Sequence, residues 1–183
     1  MPRIAPLDYD AMPAAARAAH DDHLRTARIT NMKRTLLRSV PAFDALMTWY
    51  RLRDAVQPFL GERLTTIFAH AVSSETDCLI CSTFFRRILI ESGEDPDDPV
   101  LDERDVAVVA FGRALAQTPH RIPDALYGCV AAHFSDEQMV ALTAFGAMMV
   151  ATNVINNVLQ VPLDDYLQPY RKHPAAEGAG AHG

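Results

Sequence analysis

The stretch GERLTTIFAHAVSSETDCLICSTFF, residues 61–85, holds two of the chain's three cysteines, as a Cys-x-x-Cys at the join between two apolar segments. Before the join, Leu64, Ile67, Phe68 and Ala71 recur at helical spacing. After it, residues 78–91 read as a second helix, stopped by SGEDPDDP with its glycine and two prolines. With Asp77 as the cap, Cys78 and Cys81 fall on one face of the first turn, their β-carbons roughly 5–6 Å apart. A small adjustment at that separation closes a reversible disulfide. The positive end of the helix also favours thiolate. Three readings are open for the pair: a redox dithiol, half of a zinc site, or two small side chains packed in a core. Zinc needs about four ligands. The remaining candidates, Cys129, His70, His120 and His133, are scattered without ligand-like spacing.

The flanking sequence is helical throughout. AARAAHDDHLRTAR (15–28) is rich in alanine and charge and has no β-branched residue except one threonine. PAFDALMTWYRLRDAV (41–56) opens on a proline suited to a first turn, and Pro58 and Gly61 mark a break after it. Asp102 caps a helix running toward Pro119, and IPDALYGCVAAHF (122–134) makes a shorter one. There Cys129 reads as a small buried hydrophobe. SDEQ (135–138) is a capping box launching the apolar helix MVALTAFGAMMVATNVINNVL (139–159). Its apolar girth suits a central core helix or a subunit interface. Asn153, Asn156 and Asn157 on it are candidates for bonds across such an interface. No hairpin signal and no sustained polar–apolar alternation occurs, so the expected fold class is all-α. Residues 1–173 read as one domain, and 174–183 as a flexible Gly-rich tail.

Composition bounds the function. Of the 183 residues, 49% are hydrophobic and 22% charged, which describes an ordinary globular chain large enough for a substantial core. A net charge of -6 argues against general nucleic-acid binding. Charges are expected to break each apolar run short of membrane-spanning length, and no secretory leader is evident. A cytoplasmic setting follows, in which thiols stay reduced and a Cys-x-x-Cys is catalytic or metal-binding more often than structural.

Taken together, three segments resemble the carboxymuconolactone decarboxylase superfamily, in particular its AhpD-like alkylhydroperoxidase branch. They are residues 61–85, NMKRTLLRSVPAFDAL (31–46) and FSDEQMVALTAFGAMMVATNVINNVLQVP (134–162), and the likeness covers about residues 30–170. The resemblance implies an AhpD-like helical bundle assembled as a homo-oligomer, a trimer or hexamer. It implies a hydroperoxide-reducing antioxidant activity in which Cys81 attacks the peroxide and Cys78 resolves the sulfenic acid as a redox-active disulfide. A small-molecule hydroperoxide would be the substrate and a dithiol or lipoyl-type partner the reductant, with no bound cofactor or metal.

Two positions depart from the family's proton relay. Its glutamate, twelve residues before the first cysteine, is Thr66 here, and its histidine, four after the second, is Phe85. Neither side chain relays a proton at neutral pH. His70, which follows Glu62 and Thr66 at intervals of four, is a candidate replacement, with imidazole suited to proton shuttling. A histidine satisfied by packing is the other reading of that position. Arg86 and Arg87 are candidates to steer an anionic substrate, or to be solvated. Besides the thiol enzyme, a non-enzymatic helical oligomer with a degenerate relay remains open. So does a carboxymuconolactone-type decarboxylase, which the retained cysteine pair disfavours.

Overall fold

The computed structural model describes residues 1–172; the tail assigned to 174–183 lies outside the described residues. Eight α-helices follow in order among the described residues: α1 Ala14–Leu24, α2 Asn31–Leu36, α3 Val40–Met47, α4 Trp49–Glu75, α5 Leu79–Glu91, α6 Glu103–Ala116, α7 Asp124–Ala131 and α8 Asp136–Leu159. Short 3₁₀ turns occupy Tyr9–Ala11 and Asp165–Tyr170. No strand occurs among the described residues, so the all-α expectation holds.

Helix α4 is the hub, packing against α5, α6 and α8. Its course bends at Gly61, whose φ of 80° suits glycine, while Pro58 is accommodated within the helix. The sequence placed the break at both residues; the glycine alone takes a non-helical conformation. The centre of the core is Phe68, fully buried and stacked on Phe145 of α8 with ring centroids 5.8 Å apart. Two glycines make room for that ring. A β-carbon at Gly112 would come within 2.9 Å of it, and one at Gly146 within 3.1 Å. Close helix packing around a large aromatic thus explains why both helices carry glycine in their interiors despite its cost of about 1 kcal/mol there.

A second apolar cluster gathers Leu7, Met12, Ala16, Leu36, Leu37, Phe43 and Leu46, with Met148 and Ile155 of α8 packed against it. It fastens α1, α2 and α3 over one flank of the bundle. Helix α2 was not foreseen as a separate element. Its Thr30 cap accepts from the amide of Lys33, and it has only six residues, too few for a visible period. Similarly, the segment read as one helix from Pro41 divides into α3 and α4 at Thr48.

The capping box holds as expected: Ser135 and Gln138 bond reciprocally at the start of α8. The expectation that charges interrupt every long apolar run does not. Residues 139–160 carry no charge, and α8 is long and apolar enough, by length and composition, to cross a membrane. In this fold its inner side, including Met139, Leu142, Phe145 and Met149, is buried in the core. Cys129 is likewise corrected: it is exposed, because α7 turns Val130, with Leu126 and Ala131 beside it, toward the core and leaves Cys129 on its outer side.

Candidate active site

The cysteines sit where α4 ends and α5 begins. Asp77, at φ 50°, turns the chain through the left-handed region, and the N-cap of α5 is Cys78 rather than Asp77. That register puts the Cys78 sulfur beside the free amides of the first turn. Both cysteines are free thiols and buried, Cys78 at 0% exposure and Cys81 at 7%.

Three asparagines of α8 hold this junction. Asn156 Nδ2 donates to Cys81 Sγ at 3.2 Å and lies 3.8 Å from Cys78 Sγ. Asn153 Nδ2 donates to Thr76 Oγ1 at 2.8 Å, and Asn157 Nδ2 to the Thr76 carbonyl at 2.9 Å. The bonds proposed from sequence across an interface are thus made within the chain. The i, i+3, i+4 spacing of the three amides was the legible signal, since it sets them on one helix face.

The two thiols act on each other. Hydrogen bonding from Cys81 lowers the Cys78 pKa, helped by first-turn amides and Asn156 and opposed by burial. The same hydrogen bond, together with burial, raises that of Cys81. The pair therefore holds its first negative charge on Cys78 and its proton on Cys81. Glu75 is turned away, accepting from Gln117 Nε2 at 2.9 Å. Replacing Asn156 by leucine should raise the pKa of the first thiol to ionise and slow its alkylation near neutral pH by about tenfold or more, the worth of one hydrogen bond to a charged group. Iodoacetamide labelling followed against pH checks this.

Cys81 opens onto an apolar cavity of ≈ 100 Å³, walled by Leu46, Met47, Ile80 and Met149 among others. A wider chamber of ≈ 340 Å³ adjoins it and shares Lys33, Trp49, Tyr50, Phe84, Phe85 and Tyr166 as walls. Phe85, at the position of the family's histidine, is one of these walls, packed 5.1 Å from Phe84 and 6.3 Å from Trp49. Thr66 reaches the wider chamber, yet its hydroxyl donates to the Glu62 carbonyl at 2.9 Å.

His70 lies elsewhere. It lines neither cavity. Burial pulls its pKa down to about 4, and the charges acting on it are Arg86, Asp97, Lys172 and Arg113. A spacing of four on a helix of 3.6 residues per turn advances about 40° per step, so His70 is rotated about 80° from Glu62. Arg86 faces the same way, bonded to Asp97 at 2.7 Å, whereas Arg87 lines the wider chamber.

Among the polar groups that do share a cavity with Cys81 is the amine of Lys33, which carries no mark in the sequence. It is 5% exposed, and its Nζ donates to the Arg28 carbonyl at 2.6 Å and the Tyr50 hydroxyl at 2.8 Å. Burial brings its pKa down to about 8, against the opposing pull of the Asp164 carboxylate. An ammonium so placed gives up a proton readily. Nothing in the sequence marks it, because a lysine in a short polar-looking helix reads as solvated. Among the described residues no three His, Cys, Asp or Glu side chains are gathered in metal-binding geometry.

By sequence, no family model and no curated protein matches the chain. Structural comparison does find relatives of this architecture. The debrominase Bmp8 superposes with a TM-score of 0.74 at 16% identity, over 91% of this chain and 95% of that one. An uncharacterized peroxidase-related protein from Ralstonia eutropha, described as an alkylhydroperoxidase AhpD core, gives 0.69 at 19% identity over 90% and 94%. The chain has the AhpD-like fold. A protein of unknown function from Agrobacterium tumefaciens, proposed as an AhpD antioxidant defence protein, gives 0.58 at 22% identity over 76% of this chain and 99% of its own. In this chain the cysteines stand at the α4–α5 junction, and α2 and α3 supply part of the cavity wall through Met32, Lys33, Leu46 and Met47.

Proposed function

We propose that this chain is a thiol oxidoreductase that reduces hydroperoxides through Cys78 and Cys81. The observation that carries the reading is the placement of the pair: Cys81 lines the cavity, while Cys78 is wholly buried beside it. A nucleophile has to meet its substrate, whereas a resolving thiol need only reach the first sulfur. Cys81 accordingly attacks and Cys78 resolves. His70, turned toward Arg86 and Asp97, keeps a packing role in this scheme, and the proton is handled by groups nearer the sulfurs.

As substrate engages, the proton on Cys81 passes along their shared hydrogen bond to the Cys78 thiolate, a transfer against the resting preference of the pair that the attack on peroxide draws forward. The Cys81 sulfur bonds the outer peroxide oxygen as the O–O bond breaks, leaving a sulfenic acid and an alkoxide. Lys33 protonates the alkoxide, which departs as alcohol. Cys78 then attacks the sulfenic sulfur, forming the disulfide, and its proton leaves with the hydroxyl as water. The two electrons come from the thiols, and a dithiol reductant of the lipoyl type returns them. Capture by a neighbouring thiol also protects the sulfenic acid from further oxidation. A cytoplasmic setting, where such reductants keep thiols reduced, suits this cycle.

One equivalent of an organic hydroperoxide should lower the free-thiol count from three to one, with peptide mapping placing the disulfide between Cys78 and Cys81. Loss of the exposed Cys129 thiol with Cys78 and Cys81 intact would refute the assignment.

The aromatic and methionine-rich cavity walls support a second reading, reduction of a carbon–halogen bond on a flat ring by the same dithiol. A variant of the debrominase Bmp8 has been solved in complex with 2,3,4-tribromopyrrole. The two thiols would supply two electrons, replacing halogen by hydrogen and releasing halide. Bromide release from tribromopyrrole, measured beside peroxide consumption, separates the two.

A homo-oligomer, trimer or hexamer, is part of the proposal. Val140, Ala147, Ala151, Val154 and Val158 form an exposed apolar stripe along α8, which a second copy would cover. Light scattering that found a monomer at micromolar concentration would remove this part.

A further inference from the structure

The wider chamber carries a charge pattern that the thiol chemistry does not use. Arg28, Lys33, Arg53 and Arg87 all line it, against the single carboxylate of Glu62, in a chain whose net charge is -6. Their placement is held by the walls. The Arg28 and Arg87 guanidinium carbons both lie over the Tyr166 ring, 4.3 and 5.7 Å from its centre. That of Arg53 lies over Trp49 and Tyr50, at 5.5 and 5.4 Å. Two guanidinium groups thus converge on one aromatic ring with no carboxylate bonded between them. Arg87 pairs through Nη1 with Glu91, which is not a chamber wall, and its buried Nε has no hydrogen-bond partner among the described residues. Among the described residues Lys33 has no ion pair, and Arg53 pairs only with the adjacent Asp54.

Like charges gathered in a partly closed, aromatic-walled space repel one another unless an anion enters. The inner cavity beside Cys81 has the opposite character, apolar save for Lys33, Asp164 and two threonines. We propose that the two chambers together bind a substrate with an apolar body and an anionic group: the body lies toward Cys81, and a carboxylate or comparable anion lies among Arg28, Arg53 and Arg87. Arginine suits this task because its planar fork takes a carboxylate through two hydrogen bonds while its face stays stacked on an aromatic ring. Under the proposed thiol chemistry, on which this inference builds, the substrate class is a carboxylate-bearing organic hydroperoxide rather than hydrogen peroxide.

Binding tests the charge pattern without any turnover. Trp49 is the chain's single tryptophan and lines both chambers, so its fluorescence reports occupancy. Titration of the reduced protein with 4-phenylbutanoate and with the uncharged 4-phenylbutanamide should give an affinity about tenfold or more in favour of the carboxylate, a preference that shrinks with salt. The double variant Arg53→Gln, Arg87→Gln should bring the two ligands close to equal affinity. A second measurement compares a fatty-acid hydroperoxide with its methyl ester as oxidants of Cys81, expecting a lower KM for the acid. Equal binding of carboxylate and amide, or a preference that survives the double variant, overturns the inference. If the carboxylate preference holds and neither hydroperoxide oxidises the thiols, the anion site stands and the peroxidase reading falls. If a neutral hydroperoxide forms the disulfide and no anion preference is found, the reverse is true.

Discussion

Cys81→Ser is expected to abolish hydroperoxide-driven oxidation, lowering the rate to about 10⁻³ of the parent or less, because a serine hydroxyl near neutral pH is neither ionised nor polarisable enough to attack an O–O bond. The partner variant separates the two roles. In Cys78→Ser the first turnover should still place oxygen on Cys81, but no disulfide can form. The sulfenic acid then accumulates and proceeds to the sulfinic state under excess peroxide. Mass spectrometry of the peptide spanning residues 78–87 reads this as one and then two added oxygens on Cys81. The first step should also slow, since Cys78 is the acceptor for the Cys81 proton. The outcome that defeats the assignment is specific: oxygen on Cys78 in the Cys81→Ser protein, at a rate near that of the parent. It would mean that the lower pKa of Cys78 outweighs its burial. Burial is the stronger argument, because a sulfur with no exposed surface cannot meet a peroxide until the helix start moves.

Lys33→Met should slow the same oxidation by about 10²-fold, the usual worth of a lost proton donor. Its pH dependence is the sharper test. Lys33 carries its proton below about 8 and loses it above. The parent's rate, corrected for thiolate, should therefore fall as pH rises through that value, and the fall should be absent in Lys33→Met. In Lys33→Arg the charge persists through the whole range, so the fall should move beyond reach even if altered geometry lowers the rate. Tyr50, Asp164 and His23 face or influence the same ammonium, and Asp164 opposes the downward shift. The stability sign runs the other way from activity. A lysine whose folded pKa lies below its unfolded value of 10.5 costs stability while charged, and that cost is relieved as pH rises from about 8 to 10.5. Lys33→Met is therefore not expected to unfold the protein through loss of charge, though it leaves the Tyr50 hydroxyl and the Arg28 carbonyl to find other partners. Urea unfolding, measured beside stopped-flow oxidation, keeps the two effects apart. An unchanged rate with an unchanged pH profile would remove Lys33 from the mechanism.

Much of the architecture was legible from period and punctuation alone. The Asp102 cap, the Ser135–Gln138 box and the apolar rows of α4 and α8 each act within a few residues, so the sequence records them directly. Short elements were not legible: α2 is held by Leu36 in the outer apolar cluster and by the Asn31 amide, which donates to Asp164 far along the chain, and neither contact leaves a period in six residues. Cys129 misled because an apolar neighbourhood in sequence does not say which side of a two-turn helix faces the core.

For the candidate site, the Cys-x-x-Cys and its position at a helix start were set by the sequence, since three-residue spacing and a turn before an apolar helix are local facts. Which groups surround the sulfurs was decided only by tertiary packing. His70 is eight residues from Cys78 and the eye pairs them, yet helical rotation and the α4–α5 turn carry it toward Arg86 and Asp97. Asn156 and Lys33 are 75 and 48 positions from Cys81, and the fold brings both to its cavity or its sulfur. Hydrogen bonds, desolvation and charge act over a few ångströms of space whatever the separation along the chain. Local order therefore came from the sequence, and the chemistry around the thiols from the folded chain.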